Sequence, residues 1–252
     1  VKPFLYDVQA QTPGSYGNLE GWTAGSKAQL PVMEYFLKDK SMQAVKIQLF
    51  DTKGNKIRDL NGSGNKGLNK VYWGLDQNPP KVAVGGFTAG STVLFSSVIG
   101  PRAPIGTYKA VLQIGDAKYE QAVQLVENPR KGFSAQTIQT IHNQSMRLFK
   151  LHEQLYHLVD SMDKQIASLK KIEQRTEIES KKLKQLDSLR AEIIETNRKT
   201  VFFDEFKYRR KLSDVYVAIC IALEPFSPSK IGAIEVLEKE FDTLRKAYAA
   251  IR

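Results

Sequence analysis

The chain has a single cysteine, Cys220, among its 252 residues. A lone cysteine excludes an internal disulfide and a cysteine-based zinc site, and its apolar neighbours Ile219 and Ile221 predict a buried thiol on a helix. Long apolar runs are missing too. No stretch approaches the roughly 18 residues that cross a bilayer, so we expect a soluble chain with no transmembrane segment. The start at Val1, without a basic and apolar leader, indicates a processed terminus or a piece of a longer chain.

Histidine is scarce, and its three residues fall on one predicted helix: His142, His152 and His157. His152 and His157 are five residues apart, so they point to different faces and miss the four-residue spacing of a zinc-binding helix. His142 lies beside the apolar stripe of this helix, where a hydrogen-bonded core or rim histidine is expected. We therefore predict no metal site and no cofactor.

Motifs for catalysis are missing as well. No Gly-x-Ser-x-Gly elbow occurs, and residues 62–67 lack the spacing of a P-loop, so they are interpreted as a hairpin loop. Glycoside cleavage needs two acids that face each other across a cleft. Asp51, Asp59 and Asp76 fall in predicted turns instead, where aspartate commonly bonds its own backbone. The sequence therefore predicts no catalytic residue.

Acidic side chains are in the minority, and the formal net charge is +10. The excess is spread along the chain, with 16 basic and 10 acidic side chains in residues 1–133 and 21 and 17 in residues 134–252. A nucleic-acid binder would concentrate its basic groups, because its affinity comes from neutralising many adjacent phosphates. No nucleic-acid partner is predicted.

Turn residues are plentiful only in the first half, since Gly232, Pro225 and Pro228 are the only glycine and prolines after residue 133. In that half, apolar and polar residues alternate along short runs, which is typical of strands with one buried face. A glycine and an asparagine in the turn at 51–56 predict a hairpin over 45–60. Further strands are predicted over 30–37, 68–73, 92–98, 107–114 and 119–126.

Apolar residues in the second half recur in steps of three and four, as on the buried face of a helix. The first predicted helix covers 138–169, about ten turns. A capping box at Thr176 and Glu179 predicts the start of a second helix, over 183–193. The third, over 212–223, is closed by Pro225. The fourth begins with Ser227 as N-cap and Pro228 as first residue, and runs to 251.

The fold class that follows is α+β with two domains. Residues 1–28 are an N-terminal extension or linker, residues 29–130 an antiparallel β-sandwich, and residues 131–252 an antiparallel four-helix bundle whose helices alternate in direction.

Three stretches of the predicted sandwich share motifs with a known family. Residues 45–58 end in Asp-x-x-Gly-x-x-Ile-Arg, and residues 67–73 read Gly-Leu-Asn-x-x-x-Trp. Residues 104–108 are similar to a Pro-Pro-Gly-Thr-Tyr strand start, and residues 128–130 to a closing Asp-Pro-Arg. The chain thus resembles the C-terminal region of bacterial sortilin-like proteins, whose β-propellers carry neuraminidase-type repeats and are often labelled glycosyl hydrolases. The 67–73 stretch is also similar to the Ig-like domain of the flagellar hook-capping protein.

This resemblance implies an Ig-like or fibronectin-like sandwich in a protein exported to the periplasm or the outside. It implies that the chain follows a β-propeller, to which any sugar chemistry would belong. The expected function is a non-catalytic accessory and interaction module that supports the propeller and binds a partner. A third interpretation makes residues 77–102 a loop that closes over the cleft of the propeller.

Two aromatic clusters are candidate contacts for a glycan or a protein partner. Tyr16 and Trp22 lie in a glycine-rich stretch and could stack on sugar rings, which is the basis for the alternative of a carbohydrate-binding module. Tyr208, Arg209 and Arg210 belong to a segment in which aromatics adjoin basic residues. We interpret this segment as the end cap of the bundle, and a docking surface for an acidic partner stays open as the alternative.

Overall fold

The computed structural model describes residues 8–11, 32–83, 85, 92–126, 134–195, 206–222 and 227–251. It is a mixed α/β structure in which the described residues form two sheets and five helices. The chain divides into two compact units. The first comprises Val1–Asn78 and Arg102–His142, and the second comprises Pro79–Pro101 and Asn143–Arg252.

Seven strands are described: β1 Val8–Gln11, β2 Val32–Leu37, β3 Val45–Phe50, β4 Lys56–Gly62, β5 Gly67–Tyr72, β6 Gly106–Ile114 and β7 Ala117–Leu125. One sheet has five strands in the order β1-β7-β6-β3-β4, and it is antiparallel except for the parallel pairing of β1 with β7. The other sheet consists of β2 and β5, paired antiparallel. The predicted strands over 30–37, 68–73, 107–114 and 119–126 are thereby confirmed within one or two residues at each end.

The predicted hairpin is formed by β3 and β4, and local chemistry closes its turn. The Asp51 carboxylate accepts hydrogen bonds from the backbone N–H groups of Lys53 at 2.9 Å and Asn55 at 2.8 Å. Gly54 takes a φ of 81°, which is costly for a residue with a Cβ atom. These bonds stabilise the carboxylate, so the pKa of Asp51 lies below its ordinary value although partial desolvation opposes the shift.

The core of the first unit is built from the inward side chains of both sheets. Trp73 is fully buried at its centre, where its Nε1–H donates to the Asp76 carbonyl at 2.8 Å. The Tyr108 ring meets Trp73 edge to face with 5.5 Å between the centroids. The Tyr108 hydroxyl donates to the Pro104 carbonyl at 2.6 Å. Each polar atom that the two rings carry into the core therefore has a backbone partner, as burial requires.

The strand predicted over 92–98 is wrong, because Thr92–Ser96 forms a short helix, α1. Residues 79–101 belong to the second unit, where α1 packs against the helix over residues 208–220. The Ser96 hydroxyl lies 3.2 Å from that of Ser213 in this contact. A short apolar run with β-branched residues is ambiguous in sequence, and here tertiary packing overrides the strand propensity.

Four longer helices complete the second unit and the end of the first: α2 Ala135–Lys170, α3 Glu177–Ile193, α4 Tyr208–Cys220 and α5 Pro228–Ile251. The capping box before α3 is confirmed, since Thr176 Oγ1 accepts from the Glu179 backbone and Glu179 accepts from the Thr176 backbone. The start of α5 at Pro228 and the ten-turn length of α2 are confirmed too. None of the helices in the described ranges combines the length and apolarity that a membrane span requires.

Ion pairs between the helices reveal their directions. Arg190 of α3 binds Asp163 of α2 at 2.5 Å, and Asp187 lies 3.4 Å from Lys170, so these two helices are antiparallel. Between α2 and α5, by contrast, Arg147 pairs with Glu238 and Gln165 donates to the Tyr248 hydroxyl. The residue numbers increase in the same direction along both helices, so α2 and α5 are parallel. The expected alternation of directions therefore holds for α2 and α3 but not for α2 and α5.

Candidate functional site

The small sheet presents two different faces. Its inward residues Met33, Tyr35 and Val71 are buried in the core. The six side chains that alternate with the inward positions form what we call the β2–β5 outer face: Val32, Glu34, Phe36, Leu68, Lys70 and Tyr72. Leu68 is 54% exposed and Tyr72 is 51% exposed. Four of the six side chains on this face are therefore apolar or aromatic, although the face meets solvent.

The strand register orders this face into three cross-strand pairs. Val32 lies opposite Tyr72 at one end, and Phe36 lies opposite Leu68 at the other. Between them Glu34 lies opposite Lys70, with 2.8 Å between the carboxylate oxygen Oε1 and Nζ. The hydrogen bond to Glu34 and its negative charge hold the pKa of Lys70 above its ordinary value. The face is thus electrically neutral overall, with one ion pair between two apolar ends.

The five-stranded sheet provides an internal comparison. Its outward positions are mostly polar, and they include Lys46, Gln48, Asp59, Lys109, Lys118, Glu120 and Gln124. A solvated sheet face normally has this polar composition, whereas exposed apolar patches mark interaction sites. The β2–β5 outer face is therefore the stronger candidate for contact with another molecule.

Arg209, a candidate partner contact from the sequence, lies inside the second unit with no exposed surface. Its Nη1 donates to the carbonyls of Ala83 at 3.1 Å and Gly85 at 2.7 Å. Its Nη2 donates to Glu195 Oε2 at 2.5 Å, and Glu195 is itself 5% exposed. The guanidinium therefore has an internal role: it joins the end of α3, the start of α4 and the backbone around residue 83.

Tyr208 and Arg210 also have partners within the second unit. The buried Tyr208 hydroxyl donates to the Leu237 carbonyl at 2.9 Å, and burial raises its pKa. Arg210 binds Asp214 at 2.9 Å and lies 6.0 Å from the centroid of the exposed Phe206 ring. Three cations of this segment, Arg209, Arg210 and Lys211, thus pair with carboxylates of the second unit, namely Glu195, Asp214 and Glu240. Tyr16 and Trp22 lie outside the described residues.

The three histidines have different surroundings. His142 Nδ1–H donates to the Arg102 carbonyl at 2.8 Å, as expected for a rim residue, and burial lowers its pKa. His152 is fully buried, and both of its ring nitrogens are without a hydrogen-bond partner among the described residues. Burial lowers the pKa of His152 to about 3, so its ring is neutral beside Tyr216, 5.1 Å away between centroids. His157 is exposed.

Two open grooves lie within the described parts of the units. One, of about 470 Å³, runs beside the β3–β4 turn and is lined by Asp51, Tyr108 and Glu120 among others. Burial, together with the Asp51 charge, raises the pKa of Tyr108 to about 12, so this hydroxyl stays protonated. The second groove, of about 480 Å³, lies between α2 and α5 over Leu158 and Phe241.

The two acids of the first groove both have partners: Asp51 accepts hydrogen bonds within its turn, and Glu120 pairs with Lys109 at 3.1 Å. Outside the grooves, Asp59 pairs with Lys56 at 2.9 Å, and Asp76 lies 3.3 Å from Arg58. In the part of the chain that the structure describes, no group of three His, Cys, Asp or Glu side chains is placed to hold a metal ion.

Sequence reasoning missed the β2–β5 outer face, although a signal for it was present. Residues 35–37 and 71–73 are consecutive apolar and aromatic residues rather than alternating ones. Such a run on a strand means that both faces are apolar. Only the pairing of β2 with β5, however, shows that the two runs lie at opposite ends of one small sheet and that one face of this sheet meets solvent.

Comparison with known proteins identifies no relative: no protein-family model, no curated protein and no solved structure matches this chain.

Proposed function

We propose that this chain is a non-catalytic accessory and interaction module of a larger exported protein, of the kind that follows the β-propeller in sortilin-like proteins. In this proposal the two sheets form an Ig-like sandwich over residues 29–130, and the helices form a bundle over residues 131–252. The partners are the preceding propeller and another protein, and the compartment is the periplasm or the cell exterior. The module gives structural support and a contact surface.

The β2–β5 outer face is the observation that supports this proposal. Its backbone is held by a regular antiparallel ladder over a closely packed core, so the face is rigid before any partner arrives. Rigid apolar surfaces bind with a small loss of conformational entropy. The outer face of the five-stranded sheet is mostly polar, so exposed apolar surface is not a general property of this protein. This contrast favours a specific binding role for the β2–β5 outer face.

The reactive side chains of the second unit further support a structural role. The two Nη atoms of Arg209 donate to Glu195 Oε2 and to the carbonyls of Ala83 and Gly85, while Arg209 Nε and Glu195 Oε1 are buried without a hydrogen-bond partner among the described residues. Residues in the active site of an enzyme normally keep a free position for the substrate. In this cluster the two Nη atoms of Arg209 are instead bonded to groups of the protein, which supports a structural role.

Chemical labelling of the β2–β5 outer face tests the proposal. A Tyr72→Cys variant of the intact exported protein should react slowly with a thiol reagent, because a partner covers the face, and quickly in the isolated chain at low concentration. A Glu120→Cys variant, on the outer face of the other sheet, is the matched control and should react quickly in both. Equal rates for both variants in the intact protein would contradict a contact at this face, as would turnover of model glycosides by this chain.

The alternative of a carbohydrate-binding module is favoured by Tyr72, an aromatic ring on a solvent-exposed sheet face. Aromatic rings in such positions bury the apolar faces of sugars. Titration of the chain with soluble oligosaccharides, monitored by calorimetry, would support this alternative if heat is released and if Tyr72→Ala abolishes it.

A further inference from the structure

We propose that the β2–β5 outer face pairs with the same face of a second copy of this chain, forming a two-fold symmetric dimer. This inference rests on the proposed function, because it names the protein that occupies the contact surface. It follows from the arrangement of charge and apolar surface on the face, which is complementary to itself.

The complementarity follows from the strand register. A second copy can be turned over about a two-fold axis that lies in the contact plane, between the two strands and along them. Each β2 residue then faces the β5 residue that lies opposite it in its own sheet. Glu34 meets Lys70 of the second copy, and Lys70 meets Glu34 of the second copy. The contact is isologous, so each of its parts occurs twice.

The apolar ends match under the same operation. Val32 meets Tyr72 of the second copy at one end, and Phe36 meets Leu68 of the second copy at the other. An axis across the strands would instead bring Glu34 onto Glu34 and Lys70 onto Lys70. Because like charges in contact are strongly unfavourable, the charge pattern selects the axis along the strands. Sheets packed face to face lie about 10 Å apart and cross at about 30°, which keeps the central pairs opposite each other.

The charged pair also favours a second copy over a purely apolar partner surface. Glu34 and Lys70 each have about a third to a half of their side chain exposed, so their ion pair meets solvent. A purely apolar partner surface would displace the water around the two charges and offer no polar group in its place, which is unfavourable. A second copy supplies an ion pair of the same geometry in reverse order, so four charges alternate in sign around the axis.

The contact is small, and this sets the expected strength. A stable protein interface buries about 800 Å² on each partner. Two strands of six residues, with three outward side chains each, offer less than that. We therefore expect a weak, concentration-dependent dimer, with a dissociation constant in the micromolar range.

Charge reversal with complementation tests the dimer by sedimentation velocity over a micromolar concentration series. The unchanged chain should dimerise at the upper concentrations. Glu34→Lys leaves two positive charges on each face and Lys70→Glu leaves two negative ones, so each variant alone should dimerise at least about tenfold more weakly. An equimolar mixture of the two variants should recover association, because its faces are opposite in charge. Glu120→Lys, which reverses the exposed pair with Lys109, is the matched control and should dimerise like the unchanged chain.

Two results would overturn the dimer. One is an unchanged chain that stays monomeric throughout the series. The other is a mixture that associates no better than its two components, provided that circular dichroism shows both variants folded. If the dimer fails while Tyr72→Cys remains protected in dilute intact protein, then the proposed function stands with a different partner on this face.

Discussion

Arg209 and Glu195 form a buried ion pair, with 2.5 Å between Nη2 and Oε2, at the point where α3 has ended and α4 begins. The same guanidinium holds the carbonyls of Ala83 and Gly85 through its other terminal nitrogen. Residues more than 120 positions apart are thus joined by a single side chain. These bonds help to explain why residues 79–101, which lie between β5 and β6 in the sequence, belong to the second unit with the helices.

Removing the Arg209 charge should strongly destabilise the helical unit. Arg209→Met leaves the Glu195 carboxylate buried without its partner, and breaking a buried ion pair in this way costs about 3–5 kcal/mol. Arg210→Met, which removes the partly exposed partner of Asp214, is the matched control and should cost less than about 1 kcal/mol. Urea unfolding followed by helical circular dichroism measures both. Restored stability in the double variant Arg209→Met, Glu195→Met would show that the unpaired charge causes the loss, whereas a single variant as stable as the control would contradict this account.

The buried His152 should make the protein sensitive to acid. The pKa of His152 is about 3 in the folded protein against an ordinary 6.5. Between these two pH values the imidazole binds a proton in the unfolded chain but stays neutral in the folded protein. Stability should therefore fall with decreasing pH, by up to about 1.4 kcal/mol per pH unit from this group. His152→Phe should remove this contribution, since phenylalanine does not titrate and keeps a ring beside Tyr216.

Urea unfolding from neutral pH down to about pH 5 measures the effect of His152. The exposed His157→Gln serves as control and should retain the pH dependence of the unchanged chain. At neutral pH, His152→Phe should be at least as stable as the unchanged chain, because it removes two buried nitrogens that have no partner among the described residues. A variant whose stability declines in acid as steeply as that of the unchanged chain would refute this explanation.

Loss of the capping box should weaken the start of α3. Thr176→Ala removes the hydroxyl that accepts from the Glu179 backbone N–H at 3.2 Å, and the expected cost is about 1 kcal/mol. Gln185→Ala, at an exposed position in the middle of the same helix, should change stability little. Hydrogen exchange of the first turn of α3, compared between the two variants, locates the effect. Faster exchange in both variants would argue against a role for the cap.

In the first unit, variants of Trp73 and Tyr108 compare the stability contributed by core packing with that contributed by one hydrogen bond. Trp73→Ala should cost about 3–5 kcal/mol, because it leaves a cavity at the centre of the core. Tyr108→Phe keeps the edge-to-face contact and loses only the bond to the Pro104 carbonyl, so it should cost about 1 kcal/mol. Thermal unfolding of the two variants compares them, and equal losses would mean that the core is not organised around Trp73.

Several elements could be predicted from the sequence because their causes are local. The turn of the β3–β4 hairpin is closed by Asp51, whose partners lie within four residues. The start of α3 depends on two side chains three positions apart, and the start of α5 on Pro228. In each case the atoms that decide the structure are neighbours in the chain.

The errors concern contacts between distant segments. Residues 92–96 form a helix because Ser96 and its neighbours pack on α4, more than 100 residues away. The direction of α5 relative to α2 is visible only in contacts between the two helices, such as the pair of Arg147 and Glu238, because the apolar stripe of α5 is the same for either direction. The cut between domains at residue 130 stays a prediction.

The amino-acid sequence by itself determined which stretches become strands and helices over most of the described chain, because periodicity, turn residues and caps act over a few positions. Only the tertiary structure decided that Arg209 is internal, that residues 79–101 join the helices, and that β2 and β5 lie together with an apolar face towards solvent. These outcomes depend on which distant residues meet, and burial, charge pairing and exposure become defined only once those segments are in contact.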